Sequence, residues 1–379
     1  MRKLVVELRG ENIRRARLAL GLSQKGLAAK INVTQPRVSQ WENLGGTTEA
    51  DTADRLCEAL GVEPEFLRME FNWYGLPGLA NFRKLKKARR GDLNRWEAEY
   101  CFIVNDLRRI FDLVDLQSAP NVHDFAAREG ASAMEFASTL RRRLELPSGP
   151  IRSVTSVAER AGAVVVTTDK IPAGVSGMSL SSPAGSPPLI FVSSTLPPDR
   201  SRFTIAHELG HLLMHSLLHP AYVDESVLED EANAFAAELL FPAEEVEAVL
   251  GRVSLRTLRL AKTEYGISLR AGVYRARDVG LLERDEVSQF MKQIQIRWGR
   301  NEPDQPARES GTVLRRLFDF VKSQGYHVDT LSRVVGVRPA SFRERYRHHL
   351  PGHMLEPEPS APTRPRFDVI EGGRSSGNR

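Results

Sequence analysis

Two histidines four residues apart, His207 and His211, restrict what this 379-residue chain can fold into more than any other feature of its sequence. They lie in the apolar segment Ile205-Ala-His-Glu-Leu-Gly-His-Leu-Leu213, whose spacing predicts a helix with both imidazoles on one face. Zinc favours such nitrogen ligands in a tetrahedral site with one position open for water. Glu208 follows His207 directly, where it can take a proton from metal-bound water and deliver it to a leaving amine. We therefore predict a zinc site of the peptidase kind, with Glu208 as general base.

A third ligand is needed to complete such a site, and a second predicted helix over residues 228–240 offers two candidates. Glu229 and Asn233 are four residues apart and share one face of that helix, whose small alanines allow close packing. We favour Glu229 as the ligand and keep Glu231 as its rival. Asn233 is then predicted to hydrogen-bond a ligand histidine from behind.

His215 and His219 continue the four-residue spacing, but the sequence does not have the extended metal-binding motif of the metzincins. That pattern requires glycine and histidine where this chain has Met214 and Leu217. We therefore expect His215 to have a structural or supporting role. The spacing leaves open whether a histidine or Tyr222 stabilises an oxyanion.

Composition indicates a globular protein of two or three domains, with 41% apolar and 27% charged residues. Its two cysteines, Cys57 and Cys101, exclude a disulfide scaffold and a cysteine-based zinc site. The sequence has no run of 18 apolar residues and no signal-peptide pattern at its start. These features predict a cytoplasmic protein.

Positive charge is concentrated near the N-terminus, although the whole chain carries a formal charge of only +5. Residues 1–40 contain nine basic and two acidic residues, an asymmetry that nucleic-acid contact uses and that a solvated helix face also explains. The sequence of residues 8–69 predicts several short helices, with suitable residues at their starts and ends. Ser23 and Thr34 are placed to cap the second and third helices, and Gly21 and Gly61 to end the first and fourth.

This segment resembles the helix-turn-helix domain of XRE-type (Cro/C1-type) repressors. The resemblance rests on Arg14-Arg-Ala-Arg-Leu-Ala-Leu-Gly-Leu-Ser-Gln24, Val33-Thr-Gln-Pro-Arg-Val-Ser-Gln-Trp-Glu42 and Leu56-Cys-Glu-Ala-Leu-Gly-Val62. It implies that the third helix enters the major groove of double-stranded DNA, with Gln24 on a phosphate, and that a homodimer binds a pseudo-palindrome. A small helical protein-interaction domain is the alternative. The residues that the resemblance places on bases are Gln35, Arg37, Ser39 and Gln40.

Residues 151–245 resemble the ImmA/IrrE family of zinc metallo-endopeptidases. The matching pieces include Arg202-Phe-Thr-Ile-Ala-His-Glu-Leu-Gly-His211 and Glu229-Asp-Glu-Ala-Asn-Ala-Phe-Ala-Ala-Glu-Leu-Leu-Phe-Pro242, in that order. The resemblance implies a Zn²⁺ cofactor and cleavage of a protein substrate, often a repressor, that switches transcription. The alternative is a transcription factor whose peptidase-like domain is a non-cleaving sensor or interaction domain.

Together these patterns predict a multidomain chain: an all-α helix-turn-helix domain, an α+β zincin-like peptidase domain and a helical C-terminal region. We expect the amphipathic segment 314–321 to pack within its own chain, and we find no internal repeat in the sequence. The predicted parts are residues 8–69 (DNA-binding domain), 70–150 (helical basic connector), 151–250 (peptidase domain), 251–350 (helical region) and 351–379 (disordered tail).

Overall fold

A computed structural model of the chain describes most of it, including all of the predicted metal and DNA-contact residues. Parts of the predicted basic connector, including residues 72–88, lie outside the described residues, as do His219, Tyr222 and the chain after residue 356. Within the described part, no helix is both long enough and apolar enough to cross a lipid bilayer. The described ranges are 5–71, 89–114, 131–180, 187–215 and 224–356.

The N-terminal domain consists of the short helices that the sequence predicted. Ser23 caps the second helix by accepting a hydrogen bond from the amide of Gly26. Asn32 has the left-handed φ of 55° that the turn before the third helix requires, and asparagine tolerates this conformation. The elements are α1 (Gly10–Ala19), α2 (Gln24–Lys30), α3 (Gln35–Leu44), α4 (Ala50–Leu60) and a 3-10 turn (Pro64–Leu67).

A small antiparallel sheet in this domain was not predicted. Strand β1 (Val5–Leu8) pairs with β2 (Gly46–Glu49) in a register that sets Val5 opposite Glu49 and Leu8 opposite Gly46. Neither strand has more than four residues, and β2 is the polar sequence Gly-Thr-Thr-Glu. The usual alternation of apolar and polar residues is therefore too short to identify them.

The second domain is built on a three-stranded sheet in the order β3-β5-β4. Strands β3 (Val164–Thr168) and β5 (Leu189–Ser193) are short runs rich in β-branched and apolar residues, and they pair in parallel. Strand β4 (Gly177–Leu180) pairs antiparallel with β5 and was not predicted. All four residues of β4 are buried, so no polar face identified it as a strand.

This sheet lies between two apolar cores. Val165, Ile190 and Val192 face the core that contains the predicted metal-site helices. The opposite face packs in one core with the N-terminal domain, and Trp96 contacts Phe191 edge-on at 5.0 Å between ring centroids. The helices around the sheet are α5 (Arg90–Val114), α6 (Ala133–Arg143), α7 (Val154–Arg160), α8 (Pro198–Met214) and α9 (Glu225–Leu240).

The C-terminal region is helical, as predicted. Its first part, α10 to α13, packs with the metal-site helices, whereas its last part returns to the N-terminal domain. The predicted amphipathic segment 314–321 packs within its own chain. The helices are α10 (Ala243–Leu250), α11 (Leu255–Tyr265), α12 (Leu269–Asp278), α13 (Arg284–Trp298), α14 (Val313–Ser323), α15 (Val328–Val335), α16 (Pro339–Tyr346) and α17 (Gly352–Leu355).

His349 joins this last part to the sheet. Its Nε2 accepts a hydrogen bond from the backbone amide of Thr167 at 2.9 Å. Burial lowers the pKa of His349 from 6.5 to about 4, because the cation would lose its hydration. The native state therefore binds fewer protons than the unfolded state between these two values. Stability from neutral His349 is complete above pH 6.5 and is lost as the pH falls towards 4.

We expect this residue alone to lower the free energy of unfolding by about 3 kcal/mol between pH 7 and pH 4. The variant His349→Gln keeps an acceptor but cannot be protonated, so its urea midpoint should fall less steeply with acid than that of the wild type. The variant His353→Gln, at an exposed position, is the control and should follow the wild type. Equal acid slopes for wild type and His349→Gln would contradict the assignment.

Candidate metal centre

The metal site depends on how closely helices α8 and α9 approach each other. The ring of Phe235 on α9 lies against Gly210 on α8, where an added Cβ would come within 2.9 Å of the phenyl carbon Cδ1. Ala206 and Ala232 are also fully buried. These small residues bring the backbones together and place the carboxylate of α9 beside the histidines of α8.

The predicted ligands meet at one point. The Nε2 atoms of His207 and His211 are 3.1 Å apart, and the Glu229 carboxylate lies 3.7 Å from the first and 3.4 Å from the second. Zinc bonds of about 2.0–2.1 Å in a tetrahedron place neighbouring ligand atoms about 3.3–3.4 Å apart. These three residues are the one such group of possible ligands among the described residues. The spacing therefore suits a tetrahedral ion.

The outer nitrogens of the two histidines support the same conclusion. His207 Nδ1 is 3.0 Å from Asn233 Oδ1, and His211 Nδ1 is 2.9 Å from His215 Nδ1. If both Nδ1 atoms carry the proton and donate, both Nε2 atoms present lone pairs to each other at 3.1 Å. Two facing lone pairs repel unless a cation lies between them. The donor set therefore fits a metal ion better than it fits an empty site.

The rival ligand Glu231 has a different partner. Its carboxylate contacts His215 Nε2 at 2.9 Å, on the side of His215 away from His211. Burial lowers the pKa of His215, and the neighbouring His211 lowers it further. A neutral His215 accepts from His211 and donates to Glu231. The geometry therefore groups Glu229 with the histidines and places Glu231 one residue further out, behind His215.

Glu208 is held by a residue that the sequence did not single out. Ser179 Oγ on β4 donates a hydrogen bond to Glu208 Oε2 at 2.8 Å, and both side chains are buried. Gly177 makes this contact possible, since a Cβ there would come within 2.4 Å of the Thr204 side chain. The strand β4 was not predicted, so sequence reasoning had no means of finding Ser179.

A cleft of about 1850 Å³ opens onto these residues. Its walls include His207, Glu208 and Glu229 on the metal side. The far wall comes from α12 and includes Tyr274, whose ring is stacked against the guanidinium of Arg277. Its volume exceeds the roughly 300–1,000 Å³ of a typical small-molecule pocket.

The predicted DNA-contact residues lie together on α3 and beside it. Gln35, Arg37 and Gln40 are exposed and Ser39 is partly exposed. Val38 and Trp41, on the other side of α3, are buried. The side-chain amide of Gln35 donates to Gln24 at 2.8 Å, so the residue predicted to contact phosphate adjoins the base-reading set.

The packing at Gly210 yields a test of the site. An alanine there overpacks against Phe235 at a cost of about 1–3 kcal/mol, and its better helix propensity returns about 1 kcal/mol. We expect Gly210→Ala to destabilise the protein by about 1 kcal/mol and to weaken zinc binding about tenfold, because Glu229 moves away from the histidines. Denaturant midpoints and zinc titration with a competing chelator measure the two effects.

The control is Gly91→Ala on α5, where nothing lies within 4 Å of the added methyl group. That variant should be at least as stable as the wild type and should bind zinc normally. Normal zinc affinity in Gly210→Ala would show that the close approach of α8 and α9 does not position the ligands.

Comparison with known proteins agrees with this geometry. A model of the helix-turn-helix family matches residues 13–67, and a model described as IrrE N-terminal-like domain matches residues 158–277. Over 73 residues the chain is 40% identical to the radiation response metalloprotease IrrE of Deinococcus deserti. That alignment covers 17% of this chain and 26% of the relative, so the chain spans about a quarter of that protein's length. The chain therefore carries an XRE-type helix-turn-helix DNA-binding domain followed by an IrrE-like domain of a metallopeptidase family.

Proposed function

We propose that this protein is a DNA-binding transcriptional regulator whose second domain is a zinc-dependent endopeptidase acting on a regulatory protein, such as a repressor. The observation that carries the proposal is the convergence of His207, His211 and Glu229 beside a buried Glu208. The similarity to a named metalloprotease supports the reaction class. A cytoplasmic location follows from the role on DNA.

We assign the ion to His207, His211 and Glu229, with Asn233 and His215 orienting the two imidazoles from behind. A bound Zn²⁺ supplies Lewis acidity towards water and the scissile carbonyl. Glu208 accepts the proton of the attacking water and delivers it to the leaving amine. Ser179 donates to one oxygen of that carboxylate and so fixes its orientation towards the cleft.

For the DNA-binding domain we assign base contacts to Gln35, Arg37, Ser39 and Gln40, and a phosphate contact to Gln24. Arginine suits guanine and glutamine suits adenine in the major groove. The exposure of α3 supports this assignment. We further propose that a homodimer binds a pseudo-palindromic site, as this class of domain commonly does.

The metal ligands are tested by zinc content measured by mass spectrometry on purified protein. We expect about one zinc per chain in the wild type and strong loss in His207→Ala and Glu229→Gln, because each removes one of three protein ligands. The matched control is Glu231→Gln, which changes a carboxylate of the same helix that contacts His215 instead. It should retain zinc.

Zinc retained in Glu229→Gln but lost in Glu231→Gln would exchange the roles of the two glutamates. A wild type that takes up no zinc even when supplied with it would refute the peptidase proposal and leave a regulator with an inert domain.

The reaction is tested with Glu208→Gln, which keeps the size of the side chain but removes its capacity as a base. We expect this variant to retain zinc and DNA binding and to lose cleavage by at least about 10²-fold. New protein N-termini, identified by mass spectrometry after wild type or variant is incubated with an extract of host cells, provide the readout.

Binding to a DNA duplex, followed by fluorescence anisotropy, is the control that the variant is folded. New N-termini of equal abundance with both proteins would contradict the role of Glu208. Regulatory output in cells that survives Glu208→Gln would favour the non-cleaving sensor.

A further inference from the structure

The last helices of the chain repeat the backbone of the first. Helices α14, α15 and α16 follow α1, α2 and α3 at a constant sequence offset of 304 residues. The same offset relates Gly21 to Gly325. At this constant offset α14 ends where α1 ends, and α15 and α16 begin where α2 and α3 begin. The left-handed residues also coincide, since Gly21 matches Gly325 and Asn32 matches Gly336.

Backbone hydrogen bonds outside the regular helices follow the same offset. In the first turn, the amide of Leu22 donates to Arg17 at 3.1 Å and that of Tyr326 donates to Val321 at 3.0 Å. Four further pairs of amide-to-carbonyl hydrogen bonds join matching positions in the two units. They are Gly21 to Leu18 and Gly325 to Lys322, Leu27 to Ser23 and Leu331 to His327, Val33 to Ala28 and Val337 to Ser332, and Val38 to Thr34 and Phe342 to Arg338.

The side chains of the two units have diverged at most positions. Across residues 10–42 and 314–346 three positions are identical: Gly21, Leu27 and Val33 with their counterparts. Four core positions of α2 and α3 are buried in both units. These pairs are Leu27 with Leu331, Ala28 with Ser332, Ile31 with Val335, and Val38 with Phe342. So low an identity explains why the sequence shows no repeat.

Two positions of α16 that match predicted base-contact positions of α3 are bonded to protein instead. Ser341 is the counterpart of Arg37, and its hydroxyl donates to the carbonyl of Gly61 at 2.8 Å. Arg343 is the counterpart of Ser39, and its Nε donates to the carbonyl of Met354 at 3.2 Å. On the first unit the corresponding surface stays exposed.

Around Ser341 the contact with the N-terminal domain is continuous. The amide of Arg338 also donates to Gly61, and the amide of Glu63 donates to the carbonyl of Gly336, each at 3.0 Å. Between them Val62 and Val337 form an antiparallel bridge, and both side chains are buried. This arrangement is a small, ordered interface.

At its other side the second unit contacts the peptidase-family domain. The Glu159 carboxylate of α7 accepts from the amides of Thr312 and Val313 at the start of α14, at 2.8 and 3.0 Å. A further contact is the hydrogen bond between His349 and the sheet at Thr167. The unit therefore touches both functional domains.

We propose that residues 313–346 are a second helix-turn-helix unit that acts as an internal clamp. Its binding partner is the DNA-binding domain of its own chain, at Gly61, Val62 and Glu63, and it holds that domain against the peptidase-family domain. Its recognition helix binds protein, and the reading of DNA is left to α3. The proposal does not depend on cleavage.

The clamp is tested with Gly336→Asn in the full-length protein. Asparagine keeps the left-handed turn, as Asn32 does at the matching position, but its side chain must displace Met69, whose sulfur lies 2.5 Å from the position of the added Cβ. We expect amide hydrogen exchange across residues 61–69 to accelerate at least about tenfold, while α8 keeps its protection. The matched control is Gly325→Asn, an equally left-handed glycine with open space around it, which should exchange like the wild type.

A cysteine pair tests the same contact without disturbing the turn. We expect Val62→Cys with Val337→Cys to cross-link on mild oxidation, since facing residues of an antiparallel pair suit a disulfide. Val33→Cys with Val337→Cys should not cross-link. The oxidised protein should bind a short random-sequence DNA duplex as tightly as the reduced protein, within about threefold.

Failure of the first pair to cross-link, or unchanged exchange in Gly336→Asn, overturns the clamp. So does a larger loss of DNA affinity on cross-linking, which would mean that the second unit leaves the interface to bind DNA itself.

Discussion

A three-stranded sheet that is buried on both faces is the constraint on which the rest of the structure depends. Strand β4 shows this most clearly, because alternate residues serve different cores. Ser179 reaches the carboxylate of Glu208, while Met178 and Leu180 pack with the N-terminal domain and the C-terminal helices. A strand with no solvated face cannot shift its register without exposing one core or the other. The position of Glu208 is thereby tied to packing on the far side of the sheet.

The parts of the metal centre that the sequence predicted are those that lie on helices. His207 with His211, and Glu229 with Asn233, are each separated by one helical turn, so periodicity alone places each pair on one face. The choice between Glu229 and Glu231 needed the rotation of α9 about its own axis, which the packing of Phe235 on Gly210 determines. Ser179 needed a strand pairing, and pairing between distant segments leaves no local pattern in a four-residue strand.

The lack of a local sequence pattern also explains why only the first of the two helix-turn-helix units was predicted. The first was identified from its predicted DNA-contact residues as well as from its core, and these give the sequence its familiar signature. The second retains the core and the turns, which require only an apolar residue or a glycine at fixed positions. Arg37 is exposed, whereas its counterpart Ser341 is small enough to lie against Gly61. The second unit therefore lacks both the exposed surface and the sequence signature of the first.

The two functional surfaces are separated by this architecture. Every described residue that lines the large cleft lies between Met134 and Gln305, and none belongs to the N-terminal domain or to the second helix-turn-helix unit. Among the described elements, the main neighbours of α3 are α1 and α2 of its own domain. The exposed face of α3 and the cleft are therefore formed by different residues. Since one apolar core joins the DNA-binding domain, α5, the sheet and the clamp, binding at either surface acts on a single packed body.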